Sequence, residues 1–383
     1  MRRNNAELLS ATSVPRMQAS LMLIVGFIVL LAAAGCGGGS TSANGGGGGP
    51  TPASVSGTIA VGTAPSAVVV DSTNNIIYVT DFGTIPTGIP CSHSGADVEA
   101  IDGATQSTTS VGFYPPVQVT ATGAALNPVS HQLYVQVELY WNGVQVNDPC
   151  DPFLPSMQVF DTTSLQPPNG EAMGGNGAGI DVNPATDTIY VTFPGVAGDV
   201  RVLDSNLQAT ANIPVGSVPI GVAVNATSNK IFVANSASNN ISVIDGASNS
   251  VVATITDPNA VSPVAVAVNP TTNTIYVANS QSNNLSVIDG ATNSVTATIP
   301  VGTSPSGVAV ESQMNFIYVA NAGNSQSGNP GNITVIDGAK HTTTTLKDPN
   351  AVSPVAVAAN SVTNKVYVAN WGSNNVTVIN GAQ

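Results

Sequence analysis

The feature that most constrains this chain is an internal repeat that occupies everything from Val55 to the C-terminus. The clearest copy, residues 264–301, has four short β-favouring runs, each bounded by turn-forming residues. Since one such repeat cannot bury its own apolar face, the copies must pack against each other. Seven copies align on one aromatic residue each, and these aromatics are 42 to 56 residues apart: Tyr78, Tyr134, Tyr190, Phe232, Tyr276, Tyr318 and Tyr367.

The four runs of one copy predict four short strands. In residues 264–301 they are Val264–Asn269, Thr274–Asn279, Leu285–Asp289 and Val295–Val301. They are joined by Asn-Pro, Ser-Asn-Asn and Asp-Gly, and Asn, Asp and Gly tolerate the positive φ of tight hairpins. Four antiparallel strands recurring every roughly 40–45 residues describe one β-propeller blade. The sequence therefore predicts an all-β fold, a seven-bladed β-propeller of four-stranded antiparallel blades.

The two ends of the repeat region complement each other. The seventh copy stops at Gln383, just after its third strand, whereas residues 55–61 match the fourth strand of the other copies. We therefore expect the N-terminal strand 55–61 to join the last blade. This arrangement closes the ring and covers a sheet edge that would otherwise be open.

The N-terminal segment has the features of an export signal. Three arginines precede an apolar run, residues 21–35, and small residues stand directly before Cys36. A basic region, an apolar region and small residues at a cleavage site are typical of a secretory signal, and a run of this length is short for a membrane-spanning helix. The end of the run resembles the lipobox of bacterial lipoproteins. That resemblance implies a signal peptide over residues 1–35 and a lipid on Cys36; the alternative is an ordinary signal peptide with an incidental cysteine.

Residues 36–54 are rich in glycine and contain little that a fold could bury. Such a chain is flexible and spans about 23 Å on average. We interpret it as a tether between the lipid and the propeller of residues 55–383. The predicted protein is exported and anchored to a bacterial membrane, on the periplasmic or the cell-surface side.

Several copies share a four-residue segment that starts at the aromatic, as in Tyr276–Asn279, Tyr318–Asn321 and Tyr367–Asn370, followed by a Val-Ile-Asp-Gly-like turn. These segments resemble the YVTN-type β-propeller repeat of YncE-like proteins, and the resemblance covers residues 55–383. It implies a propeller fold and an exported or surface-associated location. It implies no reaction.

The charge of the chain excludes one class of partner. The sequence has 8 Lys and Arg against 21 Asp and Glu, a net charge of −13. Nucleic-acid binding needs clustered basic residues, and those beyond residue 35 are few and scattered. We therefore expect no nucleic-acid partner, and we expect a monomer without a cofactor.

Copies one and two carry insertions of 11 and 14 residues between their second and third strands. Cys91 lies in the first insertion and Cys150 in the second, and they are the only cysteines besides Cys36. In an exported protein such a pair favours a disulfide, which would be structural, since there is no C-x-x-C pattern. Two free thiols are the alternative.

Aromatic residues collect near the same insertions. Phe82 and Trp371 stand four residues beyond the repeat aromatics of copies one and seven, which are neighbours in a closed ring. The copy-two insertion adds further candidates: Tyr140, Trp141, Asp148 and Asp151. Aromatics beside carboxylates suit stacking on a sugar or anchoring of a partner protein; the alternative is a small satellite core beneath the loops. The pair of aspartates falls short of the six to eight oxygens that Ca²⁺ takes, so we expect no metal site.

The segments that enter the seven innermost strands contain no His, Asp, Glu, Lys or Arg. Hydrolytic or metal-assisted chemistry needs carboxylates or imidazoles that converge on one point, so we expect no catalytic residues. The prediction is a non-enzymatic module that binds an envelope protein or a glycan on the loop face near blades 7, 1 and 2. The alternative is a lactonase-like hydrolase, because some propellers of similar repeat character resemble 6-phosphogluconolactonases.

Overall fold

Seven antiparallel sheets follow one another along the chain, as the repeated strand and turn pattern predicts. The computed structural model describes residues 51–83, 97–112, 119–141, 144–145, 157–164, 169–171 and 177–383. These residues form a seven-bladed β-propeller, which confirms the predicted fold. The predictions on residues 1–35, Cys36 and most of the tether concern residues outside the described ones. Among the described residues, no helix is long and apolar enough to span a membrane.

We letter the strands of each blade A to D from the innermost outward. Blade 1 contains β2 (Pro65–Asp71), β3 (Ile76–Asp81), β4 (Asp97–Asp102) and β5 (Thr108–Gly112). Blade 2 contains β6 (Val119–Asn127), β7 (Gln132–Trp141), β9 (Met157–Asp161) and β10 (Asn169–Glu171). Blade 3 contains β11 (Ile180–Asn183), β12 (Thr188–Phe193), β13 (Asp199–Leu203) and β14 (Ala209–Pro214). A short strand, β8 (Val144–Gln145), pairs with the end of β7.

The remaining blades are the more regular ones. Blade 4 contains β15 (Pro219–Asn225), β16 (Lys230–Asn235), β17 (Asn240–Asp245) and β18 (Ser250–Ile255). Blade 5 contains β19 (Pro263–Asn269), β20 (Thr274–Asn279), β21 (Asn284–Asp289) and β22 (Ser294–Pro300). Blade 6 contains β23 (Pro305–Glu311), β24 (Phe316–Asn321), β25 (Asn332–Asp337) and β26 (Thr343–Leu346). Blade 7 contains β27 (Pro354–Asn360), β28 (Lys365–Asn370), β29 (Asn375–Asn380) and β1 (Ser54–Ala60). One 3₁₀ turn, Ser325–Ser327, lies between β24 and β25.

The innermost strands form a closed ring, since each A strand contacts the A strand of the next blade and β27 contacts β2. Val and Ala dominate these strands, and their small side chains allow seven strands to crowd around one axis. The seven repeat aromatics lie one strand further out and are at most 1% exposed. Tyr367 of blade 7, for example, packs with Val68, Ile77 and Val79 of blade 1. Burial of one such ring contributes about 1.5–3 kcal/mol, so the aromatics hold neighbouring blades together.

The turns between strands A and B add polar joints between blades. In every blade one turn residue has a positive φ, as at Asn75, Asn229 and Asn273. In five blades an Asn at the end of strand A donates from Nδ2 to the turn residue of the next blade, for instance Asn225 to Asn273 at 2.8 Å. The predicted Asn-rich turns therefore serve two purposes, chain reversal and contact between blades.

The N-terminal strand completes the last blade, as predicted. β1 pairs antiparallel with β29, with Ile59 opposite Val376 and a bulge between Val55 and Gly57. The Asn360 side chain then donates to Asn75 at 3.0 Å, a contact between blades 7 and 1. Ring closure therefore depends both on strand pairing and on the turn joints.

Candidate functional site

The B–C corner of a blade is the place where strand B ends, strand C begins, and the loop entering strand A passes over both. In blade 1 this loop contains Gly62 and Ala64, and the Phe82 amide donates to the Ala64 carbonyl at 3.0 Å. Thr80 of β3 pairs with Val98 of β4, so the side chains of residues 81, 97 and 99 share one face of the sheet.

In four blades this corner is a neutral hydrogen-bond network. In blade 4, Asn235 Nδ2 donates to Asn240 Oδ1 at 2.8 Å and to Ser242 Oγ at 3.0 Å. The same two bonds recur with the same geometry, within 2.8–2.9 Å, in blades 5, 6 and 7: Asn279 to Asn284 and Ser286, Asn321 to Asn332 and Thr334, and Asn370 to Asn375 and Thr377. An amide donor between two acceptors therefore defines this position of the repeat.

Blade 1 places three carboxyl groups at the same three positions. Asp81, Asp97 and Glu99, which we call the carboxylate trio, each bring an oxygen within 4.8 Å of the others. Asp81 is fully buried, and the other two are partly buried. Both oxygens of Asp81, one of Asp97 and one of Glu99 have no hydrogen-bond partner. The trio thus replaces a donor with acceptors only.

This environment disfavours ionisation of Asp81 and Glu99. The pKa of Asp81 is raised to about 9, first by burial and then by the neighbouring Asp97 and Glu99. Burial, followed by Asp97, raises the pKa of Glu99 to about 6. The backbone amide of Gly62 opposes both rises, although it does not reach hydrogen-bond geometry to Asp81. Ser110 donates from Oγ to Asp97 Oδ2, which leaves the other oxygen of Asp97 directed at its neighbours.

Gly62 permits the close approach of the entry loop to the trio. A Cβ atom at this position would overlap Asp81 Oδ2. Gly216 has the same relation to blade 4, where a Cβ would lie 2.7 Å from the Cβ of Asn235. The backbone of the corner is therefore alike in the two blades, and the difference between them lies in the side chains.

Sequence reasoning missed the trio, although a signal was present. Aligning the copies on their aromatics puts Asp81, Asp97 and Glu99 in the columns that hold Asn, Asn and Ser or Thr in blades 4 to 7. Blade 3 departs differently, with Phe193, Asp199 and Arg201 in these columns, and the Arg201 guanidinium lies 4.2 Å from the centre of the Phe193 ring. Blade 1 alone has carboxylates in all three columns.

Phe82 and Trp371 do meet, as their placement on adjacent copies suggests. Their ring centroids are 5.0 Å apart at an interplanar angle of 61°, an edge-to-face contact between blades 1 and 7. Both side chains are half-buried. The Trp371 amide donates to the Ser353 carbonyl at 3.0 Å, so both rings follow a strand B that is tied to its entry loop. The pair is directly next to the trio, because Phe82 follows Asp81.

The other predicted site residues are described less fully. Tyr140 and Trp141 end β7, where their backbones pair with Gln145 and Val144 of β8. The remaining predictions, on Asp148, Asp151 and the Cys91–Cys150 disulfide, fall outside the described residues.

One carboxylate lies in the wall of the central channel. Asp181 of β11 accepts from the amides of Val182 at 2.8 Å and Val224 at 2.7 Å, one on each oxygen. Val224 belongs to blade 4, so Asp181 joins two inner strands. Burial raises its pKa to about 6. Both oxygens are occupied by backbone donors, which gives this group a structural role.

Comparison with known proteins adds no assignment to this geometry. No protein-family model and no curated protein matches the chain.

Proposed function

We propose that this protein is an exported, lipid-anchored propeller that binds a glycan or an envelope protein and catalyses no reaction of its own. The binding surface is the loop face near blades 7, 1 and 2. The proposed cellular location of the protein is supported by the signal-like residues 1–35, the lipid acceptor Cys36 and the resemblance to YVTN-type repeats of YncE-like proteins. The protein acts as a monomer held off the membrane by residues 36–54.

The observation that carries the proposal is the contact between Phe82 and Trp371. The two rings join adjacent blades at the loop face and keep part of their surface open to solvent. Edge-to-face packing fixes the orientation of each ring, and a fixed ring can stack on the apolar face of a sugar or fill a pocket of a partner protein. The insertion that carries Tyr140, Trp141, Asp148 and Asp151 adjoins the same blades in the sequence.

We propose a protein without catalytic activity because of the residues that lead into the innermost strands. In the sequence these seven segments contain no ionisable side chain, and the channel carboxylate Asp181 is engaged by two backbone amides. A lactonase-like hydrolase, the alternative, needs a general base that is free to reach a substrate or water.

A thermal-shift screen of the full-length chain against glycan fragments, lactones and envelope extracts tests the proposal. A bound glycan at 100 times its dissociation constant should raise the unfolding midpoint by about 4 °C. The rise should be lost in Trp371→Ala and kept in Phe316→Ala, which truncates a half-buried ring at the opposite end of blade 6. A response to lactones with turnover would favour the hydrolase, whereas retention of one envelope protein, abolished by Trp371→Ala, would identify a protein partner.

Attachment to the membrane is tested separately. Cys36→Ser should release the protein from the membrane fraction and abolish incorporation of labelled fatty acid. Equal labelling of the wild type and the variant would contradict the lipid anchor.

A further inference from the structure

The carboxylate trio of blade 1 lacks the side-chain amide donor that forms two hydrogen bonds at the same corner in four other blades. In blade 4 the Asn235 amide donates to both neighbours, but an ionised Asp81 offers only lone pairs to Asp97 and Glu99. In blade 4 the Asn235 Oδ1 atom has no hydrogen-bond partner, and one oxygen of Asp81 in blade 1 corresponds to it. The second oxygen of Asp81 stands where Asn235 has its amide nitrogen. This second unpartnered oxygen is the feature that distinguishes blade 1.

Among the described residues, no basic side chain forms an ion pair with the trio. The sequence has no Lys or Arg at all between Arg16 and Arg201, a stretch that includes blades 1 and 2. The strand beyond the trio, β5, contributes only the hydroxyl of Ser110. Buried carboxylates are normally paired, protonated or bound to a metal ion. Pairing with a basic residue is excluded here among the described residues, which leaves a proton or a metal.

We propose that Asp81, Asp97 and Glu99 bind one divalent metal ion, with Ca²⁺ as the preferred ion. The three side chains come from two adjacent strands, and Asp81, which is fully buried and unpartnered at both oxygens, is directed at the other two. Oxygen-only ligands select a hard cation over Zn²⁺ or Cu²⁺.

The number of carboxylates favours Ca²⁺ over Mg²⁺. The three ligand oxygens lie within 4.8 Å of one another. Ligands on Ca²⁺, with bonds of 2.3–2.6 Å, can be up to about 5 Å apart, whereas Mg²⁺ is usually bound through one or two carboxylates and keeps several waters. Three carboxylates supply up to six oxygens if each is bidentate, and the partial exposure of Asp97 and Glu99 leaves access for water as a further ligand.

This site is independent of the proposed binding surface, although the two are adjacent. The metal ligands come from blade 1 alone, whereas the ring pair joins blades 1 and 7. A metal ion would hold the end of β3 and the start of β4 together, next to Phe82 in the chain. It can therefore be detected without any glycan or partner.

The experiment is calorimetric titration of Ca²⁺ into the full-length, chelator-treated protein, with thermal unfolding in parallel. We expect one Ca²⁺ per chain, a midpoint rise of about 4 °C at 100 times the dissociation constant, and at least tenfold weaker binding of Mg²⁺. The decisive variant, Asp81→Asn/Asp97→Asn/Glu99→Ser, converts blade 1 to the network of blade 4. It should fold, since blades 4 and 5 use the same three residues, and it should lose the Ca²⁺ response.

A matched control removes the same charge elsewhere. Asp102→Asn/Asp161→Asn/Asp245→Asn changes three carboxylates at exposed turns, and it should keep the wild-type Ca²⁺ stoichiometry and affinity. Failure of the wild type to bind Ca²⁺, or full binding by the blade 1 variant, overturns the proposal. In the first case the trio is held together by protons, and in the second the ion binds elsewhere.

Discussion

Blades 1 and 4 have nearly the same backbone at the B–C corner but opposite chemistry. Gly62 and Gly216 bring the entry loop equally close, and both strand pairs end in the same register. Blade 4 fills the corner with Asn235 between two acceptors, whereas blade 1 fills it with three carboxyl groups. The amide network of blade 4 is sufficient for the fold at this position. The carboxylate trio of blade 1 is therefore not needed for the fold.

The comparison separates stability from function. Four blades use the amide network, so the fold does not depend on carboxylates at this position. Concentrated carboxylates with raised pKa values cost stability unless a proton or a cation is bound. Blade 1 is therefore the blade in which this corner is suited to bind a ligand rather than to stabilise the fold.

The largest expected effect comes from transferring the trio to blade 4. Asn235→Asp/Asn240→Asp/Ser242→Glu should lower the free energy of unfolding by about 3–5 kcal/mol in chelator, because buried charges are left uncompensated. Calcium should restore part of this loss. The measurement is urea unfolding with and without Ca²⁺. A control that adds the same charge at exposed positions, Ala247→Glu/Ser250→Glu/Ala291→Glu, should change stability by less than about 1 kcal/mol; an equal loss in both would refute the comparison.

Single truncations should affect the two corners differently. Asn235→Ala removes the donor shared by Asn240 and Ser242, so it should cost about 1–3 kcal/mol. Asp81→Ala in chelator should cost less, because neither oxygen of Asp81 has a hydrogen-bond partner that truncation would remove. Denaturant unfolding of both variants at neutral pH measures the difference. Equal costs would mean that Asp81 makes interactions as stabilising as the two hydrogen bonds of Asn235.

The pH dependence of stability should reveal the trio. The pKa of Asp81 is raised to about 9 and that of Glu99 to about 6. Between about pH 4, where an unfolded Asp titrates, and about pH 9, the native state therefore holds more protons than the unfolded state, so these groups lower stability as pH rises. In chelator, the wild type should lose stability across this window relative to Asp81→Asn/Asp97→Asn/Glu99→Ser. Parallel pH profiles for the two proteins would rule out a shifted pKa at this corner.

The smallest effect concerns the ring pair next to the trio. Trp371→Ala and Phe82→Ala should show a coupling energy of about 0.5–1.5 kcal/mol in a double-mutant cycle, as expected for an edge-to-face contact. Neither variant should lose the Ca²⁺ response, because neither side chain belongs to the trio. Loss of Ca²⁺ binding in Trp371→Ala would show that the two sites are one.

Much of the architecture could be predicted from the sequence. The period of the aromatics, the Asn and Asp-Gly turns and the unpaired last copy predicted seven blades and the strand that closes them. The predicted strand Thr274–Asn279 coincides with β20, and the closing strand begins one residue earlier than expected, at Ser54. Such predictions succeed because strand periodicity and turn chemistry are local properties that are repeated seven times.

The site was less predictable. The sequence predicted a binding site at the long loops, whereas Asp81, Asp97 and Glu99 belong to the regular strands β3 and β4. Asp81 and Glu99 are 18 residues apart in the sequence, and only strand pairing brings them together. Phe82 and Trp371 stand on copies that ring closure makes neighbours, and the structure shows that their rings are in contact.

The sequence by itself determined the number of blades, the order of the strands and the way in which the ring closes. Tertiary structure alone decided that Asp81 is fully buried, that its oxygens face Asp97 and Glu99, and that Gly62 brings the entry loop over them. The physical reason is that burial and electrostatic coupling depend on distances between strands and loops, which no local pattern specifies.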